Sequence, residues 1–273
     1  MYKVIKDGES AETGKEYAVT IPGVFESTGY NEKPKVVPEL QEWFGNEGTF
    51  KLTEETRKNV LEELLKRSPN QYGQYEAVVN EIIQSVRDKK DEAVLEYTAK
   101  FDKWDCNSNN LRVTREEIEE AYKEIDEEFI ACMKKSAENI TAFHAKQLHN
   151  SWFDPKPDGT ILGMKILPIE KAGVYVPGGK AAYPSSVLMN VLPAKVAGVK
   201  KIVMTTPAGA DGKVNPGTLV AADIAGVDEI YKVGGAQAIA ALAFGTETIP
   251  KVDKITGPGN IFVALAKKAC FGF

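Results

Sequence analysis

The sequence of 273 residues is poor in the side chains that most often bind metals or act as nucleophiles. It has three cysteines, Cys106, Cys132 and Cys270, and two histidines, His144 and His149. An odd number of widely spaced cysteines argues against a disulfide framework and against a Cys-x-x-Cys metal or redox motif. The histidines are five positions apart on one predicted helix, whereas paired zinc ligands on a helix are four apart. The residues alone therefore predict neither a metal site nor a catalytic group.

Long apolar segments are also missing. No uncharged apolar run approaches the roughly 20 residues that cross a bilayer, which argues against a membrane partner. The first ten residues, MYKVIKDGES, are charged throughout and lack the apolar core of a signal peptide. We therefore expect a cytoplasmic protein.

Arginine is absent from residue 171 onward. Residues 171–273 contain 11 lysines and 6 acidic residues, a net charge of +5, so residues 1–170 carry a net charge of −10. Arginine is the usual side chain for binding phosphates and guanine in nucleic acids, so its absence disfavours a nucleic-acid partner. A mildly positive segment suits a small anionic ligand.

The first 170 residues are predicted to be an extension followed by helices. Residues 1–50 are rich in turn formers and are interpreted as an N-terminal extension. Thr53 is a candidate N-cap for the helical stretch LTEETRKNVLEELLKR. Residues 51–170 form the helical part of an incomplete first domain. Apolar residues at helical spacing, among them Val78, Ile82 and Val86, predict one helix over 75–102 that buries this face. A second helix is predicted from a Thr114–Glu117 capping box towards Phe143.

Residues 171–273 repeat one pattern four times. Each unit is a β-rich apolar run, a Gly/Pro turn and an apolar helix, and glycines at the helix ends are C-cap candidates. Pro193 is expected to kink or split the first of these helices. Alternating strands and helices predict an α/β fold with a parallel sheet and right-handed crossovers.

The ligand crevice of such a sheet lies beyond the carboxyl ends of its strands. Three of the four predicted ends are glycine turns, which leave backbone N–H groups uncovered for phosphate. Tyr175, Gln237 and Asn260 lie next to these turns and place a ring and two amides on one rim. Each has an ordinary alternative, because Tyr175 could pack in the core and the amides could cap their helices. Their convergence favours a nucleotide ligand.

Two long segments resemble the histidinol dehydrogenase family: AGVYVPGGKAAYPSSVLMNVLPAKVAGVKKIVMTTP and VGGAQAIAALAFGTETIPKVDKITGPGNIFVALAKK. The similarity is dense from Lys171 to about Lys268 and continues more loosely through the preceding helices, whereas residues 1–50 fit poorly. In KKDEAV, Lys90 stands where the family usually has glycine.

The resemblance implies a zinc enzyme that oxidises L-histidinol through the aldehyde to L-histidine with NAD. It implies an aldehyde-dehydrogenase-like fold with Rossmann-like halves, residues 171–273 being one NAD-binding domain, and an intertwined homodimer. By motif position, the NAD contacts fall on Tyr175 in GVYVPGG, Gln237 in GGAQA and Asn260 in GPGN.

The family's zinc ligands and catalytic Glu–His pair lie downstream of the matched segment. The sequence is therefore interpreted as an N-terminal portion that carries the cofactor half and is inactive alone. Two alternatives remain: a non-catalytic module that binds NAD, and a paralogous zinc-dependent alcohol dehydrogenase of the same fold.

Overall fold

The computed structural model describes residues 16–18, 49–51, 73–178 and 183–272. The chain divides into two compact units, Met1–Tyr72 and Gly73–Phe273. In the first unit, β1 (Glu16–Ala18) pairs antiparallel with β2 (Thr49–Lys51). The N-cap predicted at Thr53 lies outside the described residues. The domain boundary expected at residue 171 stays a prediction.

The second unit begins with four helices, where the sequence predicted two. They are α1 (Gly73–Lys89), α2 (Asp91–Asp102), α3 (Arg115–Glu124) and α4 (Glu127–Ala145). The first break is at Lys90, whose φ of 54° and ψ of −126° lie outside the regions that L-residues favour. The second is at Asp126, whose side chain accepts a hydrogen bond from the Phe129 backbone N–H and starts a new helix. The predicted capping box of Thr114 and Glu117 is present at the start of α3.

An antiparallel hairpin follows the helices. It consists of β3 (Trp152–Pro155) and β4 (Ile161–Met164), with Trp152 opposite Met164 and Pro155 opposite Ile161. All eight of its strand residues are exposed. Successive side chains of a strand point to opposite faces, so both faces of this hairpin present apolar side chains to solvent.

The rest of the unit is a regular series of strands and helices, and it confirms the predicted α/β fold with a parallel sheet. The chain runs through β5 (Lys171–Tyr175), α5 (Pro184–Val196), β6 (Lys201–Thr205), α6 (Pro216–Ala225), β7 (Glu229–Tyr231), α7 (Gly235–Phe244), β8 (Lys254–Thr256) and α8 (Ile261–Cys270). Helix α5 continues through Pro193 and is not split. Gly226 ends α6 in the left-handed conformation, as expected of a C-cap glycine.

The four strands are parallel and lie in the order β7-β6-β5-β8. The chain moves from β5 through β6 to β7 on one side and then returns to place β8 on the other side of β5. This reversal makes the carboxyl ends of β5 and β8 a topological switch point, where open α/β sheets bind ligands.

Helices cover the sheet in two groups. Helix α7 contacts α1, α2 and α8, while α5 and α6 contact each other and α4, and α3 packs on α6. The edge of β7 is covered by residues 111–113, because the Val113 N–H donates to Ile230 O and the Lys232 N–H donates to Leu111 O. The early helical segment is therefore built into the same core as the sheet.

Candidate functional site

A cavity of about 690 Å³ opens at the switch point of the sheet. Tyr175 at the end of β5, Gln237 in the first turn of α7 and Asn260 before α8 all line it. The structure thus brings the three residues selected from the sequence to one cavity.

Tyr175 forms the floor between β5 and α7. Its side chain is buried, and its hydroxyl oxygen accepts a hydrogen bond of 3.3 Å from the Gly235 backbone N–H. Burial raises the pKa of Tyr175, the Gly235 N–H acts in the opposite direction, and the charge of Asp102 adds to the rise. The phenol therefore stays neutral near neutral pH and is both packed and in contact with the cavity.

Gln237 is a buried amide with no partner. Its exposed fraction is 1%, and neither Nε2 nor Oε1 has a hydrogen-bond partner. A buried amide without partners is destabilising, so natural proteins rarely keep one without a functional reason. The N-cap of α7 is Gly234, which supplies no side-chain cap, so the start of the helix also offers backbone N–H groups. The site therefore suits a ligand that both accepts and donates hydrogen bonds.

Asn260 is the N-cap of α8. Its Oδ1 accepts hydrogen bonds from the backbone N–H groups of Phe262 at 3.1 Å and Val263 at 3.2 Å. The oxygen is thus occupied by the helix, whereas the amide nitrogen is available to a ligand. Gly257 precedes it with a φ of +113°, and a Cβ built there would lie 1.9 Å from the Tyr175 carbonyl oxygen. This glycine allows β5 and the α8 turn to come close together.

The cavity also has an apolar wall that the sequence did not identify. Tyr75 and Phe262 meet edge to face with ring centroids 5.4 Å apart. Val78 and Phe101 complete the wall, although large parts of both side chains are exposed. Val78 was placed on a buried helix face by its spacing, but it borders the cavity instead. Exposed apolar side chains around a concave surface are typical of a ligand site.

Asp102 is the second feature that the sequence did not identify. It ends α2 and lines the cavity, and its Oδ2 is buried with no hydrogen-bond partner. Burial raises the pKa of Asp102 to about 6, although the nearby Gly234 N–H acts in the opposite direction. An acidic residue in the last turn of a helix faces the negative end of the helix dipole, which is unfavourable. That unfavourable position is the one sequence signal that could have marked it.

Other charged and reactive groups near the strand ends have different roles. Lys232 follows β7 and is 5% exposed, but its ammonium group is paired with Glu117. Burial raises the pKa of Cys106, and raises that of Cys270 to about 11, so neither thiol is activated as a thiolate. His144 hydrogen-bonds Gln147, and His149 lies beyond the end of α4 rather than on the same helix.

Within the described part of the chain, no three His, Cys, Asp or Glu side chains are grouped so that they could hold a metal ion. The same residues contain no helix that is both long enough and apolar enough to span a membrane.

The chain is similar to known proteins over most of its length. The histidinol dehydrogenase family model matches residues 65–273. Histidinol dehydrogenase of Clostridium acetobutylicum is 56% identical over 216 residues, which cover 79% of this chain and 50% of that protein. The Bacillus subtilis histidinol dehydrogenase is 58% identical over 194 residues, covering 71% of this chain and 45% of that protein.

A solved structure agrees with these relatives. The crystal structure of histidinol dehydrogenase from Elizabethkingia anophelis superposes with a TM-score of 0.68 at 41% identity, covering 71% of this chain and 44% of that chain. The chain thus spans about half the length of the curated relatives it matches. Because the family model matches well over half of the residues, the chain belongs to the histidinol dehydrogenase family.

Proposed function

We propose that this chain supplies the NAD-binding half of a histidinol dehydrogenase. The whole protein would oxidise L-histidinol through histidinal to L-histidine in histidine biosynthesis. The observation that carries the proposal is the unpartnered buried amide of Gln237, which lies in the switch-point cavity of a chain from this family. The parallel sheet would be one Rossmann-like half of an aldehyde-dehydrogenase-like fold.

The cavity suits a dinucleotide in both size and chemistry. Its volume of about 690 Å³ lies within the range of small-molecule and cofactor sites. The apolar wall can hold a flat base, and the uncapped start of α7 offers N–H groups to a phosphate. The amides of Gln237 and Asn260 can bind polar groups of the nucleotide between these two ends. When bound, NAD accepts a hydride from the alcohol.

Each residue of the rim contributes binding or orientation rather than bond breaking. Tyr175 holds the Gly235 N–H and so fixes the start of α7 against β5. Asn260 fixes the start of α8 by capping it, because its Oδ1 accepts hydrogen bonds from the first backbone N–H groups of that helix. Rigid placement of the cofactor matters because hydride transfer requires close alignment of the reacting atoms.

Zinc does not fit the described residues. The family implies a zinc ion that polarises the alcohol, but the described side chains contain no group of ligands for it. The earlier expectation that this chain alone does not reduce NAD with histidinol stays a prediction.

The proposal includes a homodimer and a cytoplasmic location. The hairpin of β3 and β4 supports association, because Phe153 and Ile161 are 65% and 66% exposed on one of its faces. A contiguous exposed apolar surface of this kind marks a protein interaction site. The cytoplasmic location stays a prediction from the sequence.

The test is NAD binding by the 273-residue chain, measured by isothermal titration calorimetry. Gln237→Ala should weaken binding by about tenfold, since one or two hydrogen bonds to the ligand are lost. Its melting temperature should not fall, because neither amide atom has a partner in the free protein. The matched control is Gln84→Ala, which removes an exposed amide from α1. Equal affinity in both variants would contradict the assignment of Gln237.

Histidinol-dependent NADH absorbance, measured on the same samples with added zinc, tests the activity of the chain alone. We expect none. Turnover would show that this chain supplies the catalytic groups as well.

A further inference from the structure

The Asp102 carboxylate lies against the glycine turn at the start of α7. A Cβ built at Gly234 would lie 3.4 Å from Asp102 Oδ2 and 2.7 Å from Pro207 Cβ, so both side chains pack against this turn. The Oδ2 atom is buried and has no hydrogen-bond partner. Among the described residues that line the cavity, Asp102 alone has a side chain that is charged at neutral pH. A ligand that reaches the turn therefore meets one negative charge.

The start of α7 is also a position that favours anions. Its N-cap, Gly234, supplies no side chain, and the first N–H groups of a helix have no intrahelical acceptor. These N–H groups and the helix dipole favour a phosphate or a carboxylate. The unpartnered amide of Gln237, which is 1% exposed, lies in the same first turn and indicates that a ligand binds there. In the free protein, the carboxylate beside this position is that of Asp102.

The inference rests on the proposed function: we infer that Asp102 is an internal anion at the glycine turn, and that binding of the NAD diphosphate there is coupled to the uptake of a proton by its carboxyl group. A phosphate at the turn brings a like charge against the carboxylate, which disfavours the ionised form. The proton comes from solvent, and no bond of NAD is made or broken. A protonated carboxyl can also donate a hydrogen bond to a phosphate oxygen.

The direction of the pH effect follows from the free protein. Burial raises the pKa of Asp102 to about 6, and the Gly234 N–H acts in the opposite direction. A bound diphosphate raises this pKa further, so the complex holds more protons than the free protein between the two pKa values. Affinity for NAD therefore falls as the pH rises through this interval. A further rise of about one unit weakens binding about sevenfold between pH 5.5 and pH 8.

The other groups that face Asp102 do not change charge in this range. Tyr75 on α1 and Tyr175 on β5 line the same cavity, and Cys106 follows α2. Burial raises the pKa of Tyr175 and of Cys106, and the charge of Asp102 adds to both rises. Tyrosine and cysteine side chains ordinarily titrate above about pH 8. The starts of α7 and α8 contribute the amides of Gln237 and Asn260, which do not titrate.

The charged neighbours of Asp102 along the chain are exposed. Lys100, Lys103 and Asp105 all have exposed side chains, and none of them lines the cavity. Solvent screens exposed charges strongly, so they contribute little to a proton-coupled event at the turn. The change in charge is therefore assigned to Asp102.

The experiment measures proton uptake when the 273-residue chain binds NAD. Calorimetric titrations at pH 6.5 in two buffers of different ionisation enthalpy give the number of protons bound. NAD suits this measurement because its phosphates are diesters, which lack the ionisation that phosphate monoesters show near pH 6. We expect at least about half a proton per NAD at pH 6.5, and binding about sevenfold weaker at pH 8 than at pH 5.5. Binding without proton uptake would overturn the inference.

Asp102→Asn identifies the group that takes up the proton. The amide cannot be protonated in this range and resembles the neutral carboxyl, so proton uptake should vanish and affinity at pH 8 should rise about tenfold. The control is Asp105→Asn, which makes the same charge change at an exposed position and should keep the uptake of the wild type. Circular dichroism checks that both variants are folded. Undiminished uptake in folded Asp102→Asn would contradict the assignment.

Adenosine tests whether the proton responds to the phosphates, and this arm needs no variant. It has the base and ribose of NAD but no diphosphate. Its ability to displace NAD from the wild-type chain gives its affinity at pH 5.5 and pH 8. That affinity should be equal at the two pH values. A pH dependence as large as that of NAD would place the coupling away from the glycine turn and refute the inference.

The outcomes separate the two proposals. If the wild-type chain does not bind NAD at either pH, the proposed function fails. If it binds NAD with no proton uptake, the proposed function stands and this inference is wrong.

Discussion

Gly257→Ala tests whether the close approach of two backbone segments holds the site together. Gly257 has a φ of +113°, and a Cβ there would lie 1.9 Å from the Tyr175 carbonyl oxygen. A positive φ disfavours a residue with a Cβ by about 1–2 kcal/mol, and overpacking adds about 1–3 kcal/mol. We therefore expect the free energy of unfolding to fall by about 2–5 kcal/mol, and NAD affinity to fall because Tyr175 and Asn260 move apart.

Gly226→Ala is the matched control, because it separates backbone strain from collision. Gly226 has a φ of +78°, but the nearest atom to its built Cβ is Lys195 Cε at 3.4 Å, the end of a flexible side chain. Only the strain of about 1–2 kcal/mol applies there. Urea unfolding followed by circular dichroism gives both free energies. Losses in the two variants that agree within about 0.5 kcal/mol would refute the collision argument.

Two further predictions concern the hairpin and the buried acid. Changing Phe153 and Ile161 together to serine should shift the sedimentation coefficient from that of a dimer towards that of a monomer. The control Lys156→Ser, in the same hairpin, should not change it. A dimer that persists in the double variant would show that the hairpin is not the interface. Asp102→Asn should stabilise the protein at pH 8 by about 1 kcal/mol after allowance for solvent screening, and should have no effect near pH 4. The variant is stabilised at high pH because folding raises the pKa of Asp102 from 3.8 to about 6, so ionisation of this group opposes folding only as the pH rises through that range. An equal increase in the free energy of unfolding at pH 8 and pH 4 would contradict this reasoning.

The alternation of strands and helices was predictable because it rests on local pattern. Each strand of the parallel sheet is short, and each is followed by a turn and an apolar helix. The convergence of Tyr175, Gln237 and Asn260 on one cavity followed from a general property of parallel sheets rather than from any single motif.

The helix breaks were not predictable from spacing. Apolar residues continue at helical intervals across Lys90 and Asp126, so spacing alone does not mark the positions where one helix ends and the next begins. Lys90 has a positive φ, which glycine adopts without strain, and this agrees with the glycine that the resemblance implies at this position. Here a lysine takes that conformation, and its ammonium group hydrogen-bonds the Gly245 carbonyl oxygen at 3.3 Å.

Asp102 and the apolar wall were missed for a different reason. Helical spacing predicts which residues face away from water, but it does not distinguish a core from a cavity wall. Val78 fits the same stripe as Ile82 and Val86, yet only the last two are buried. The difference depends on where α7 and α8 begin, and those helices lie more than a hundred residues later in the sequence.

The covering of β7 by residues 111–113 has a consequence for how the chain folds. The bond from Val113 to Ile230 joins segments that are far apart in the chain, so the edge of the sheet is protected only after a long loop has closed. Nascent chains in which β7 has formed before this closure expose an open strand edge, which can add strands from other molecules. A segment excised at residue 171 would lack residues 111–113 and leave that edge uncovered, so these residues protect the sheet against the addition of strands from other molecules.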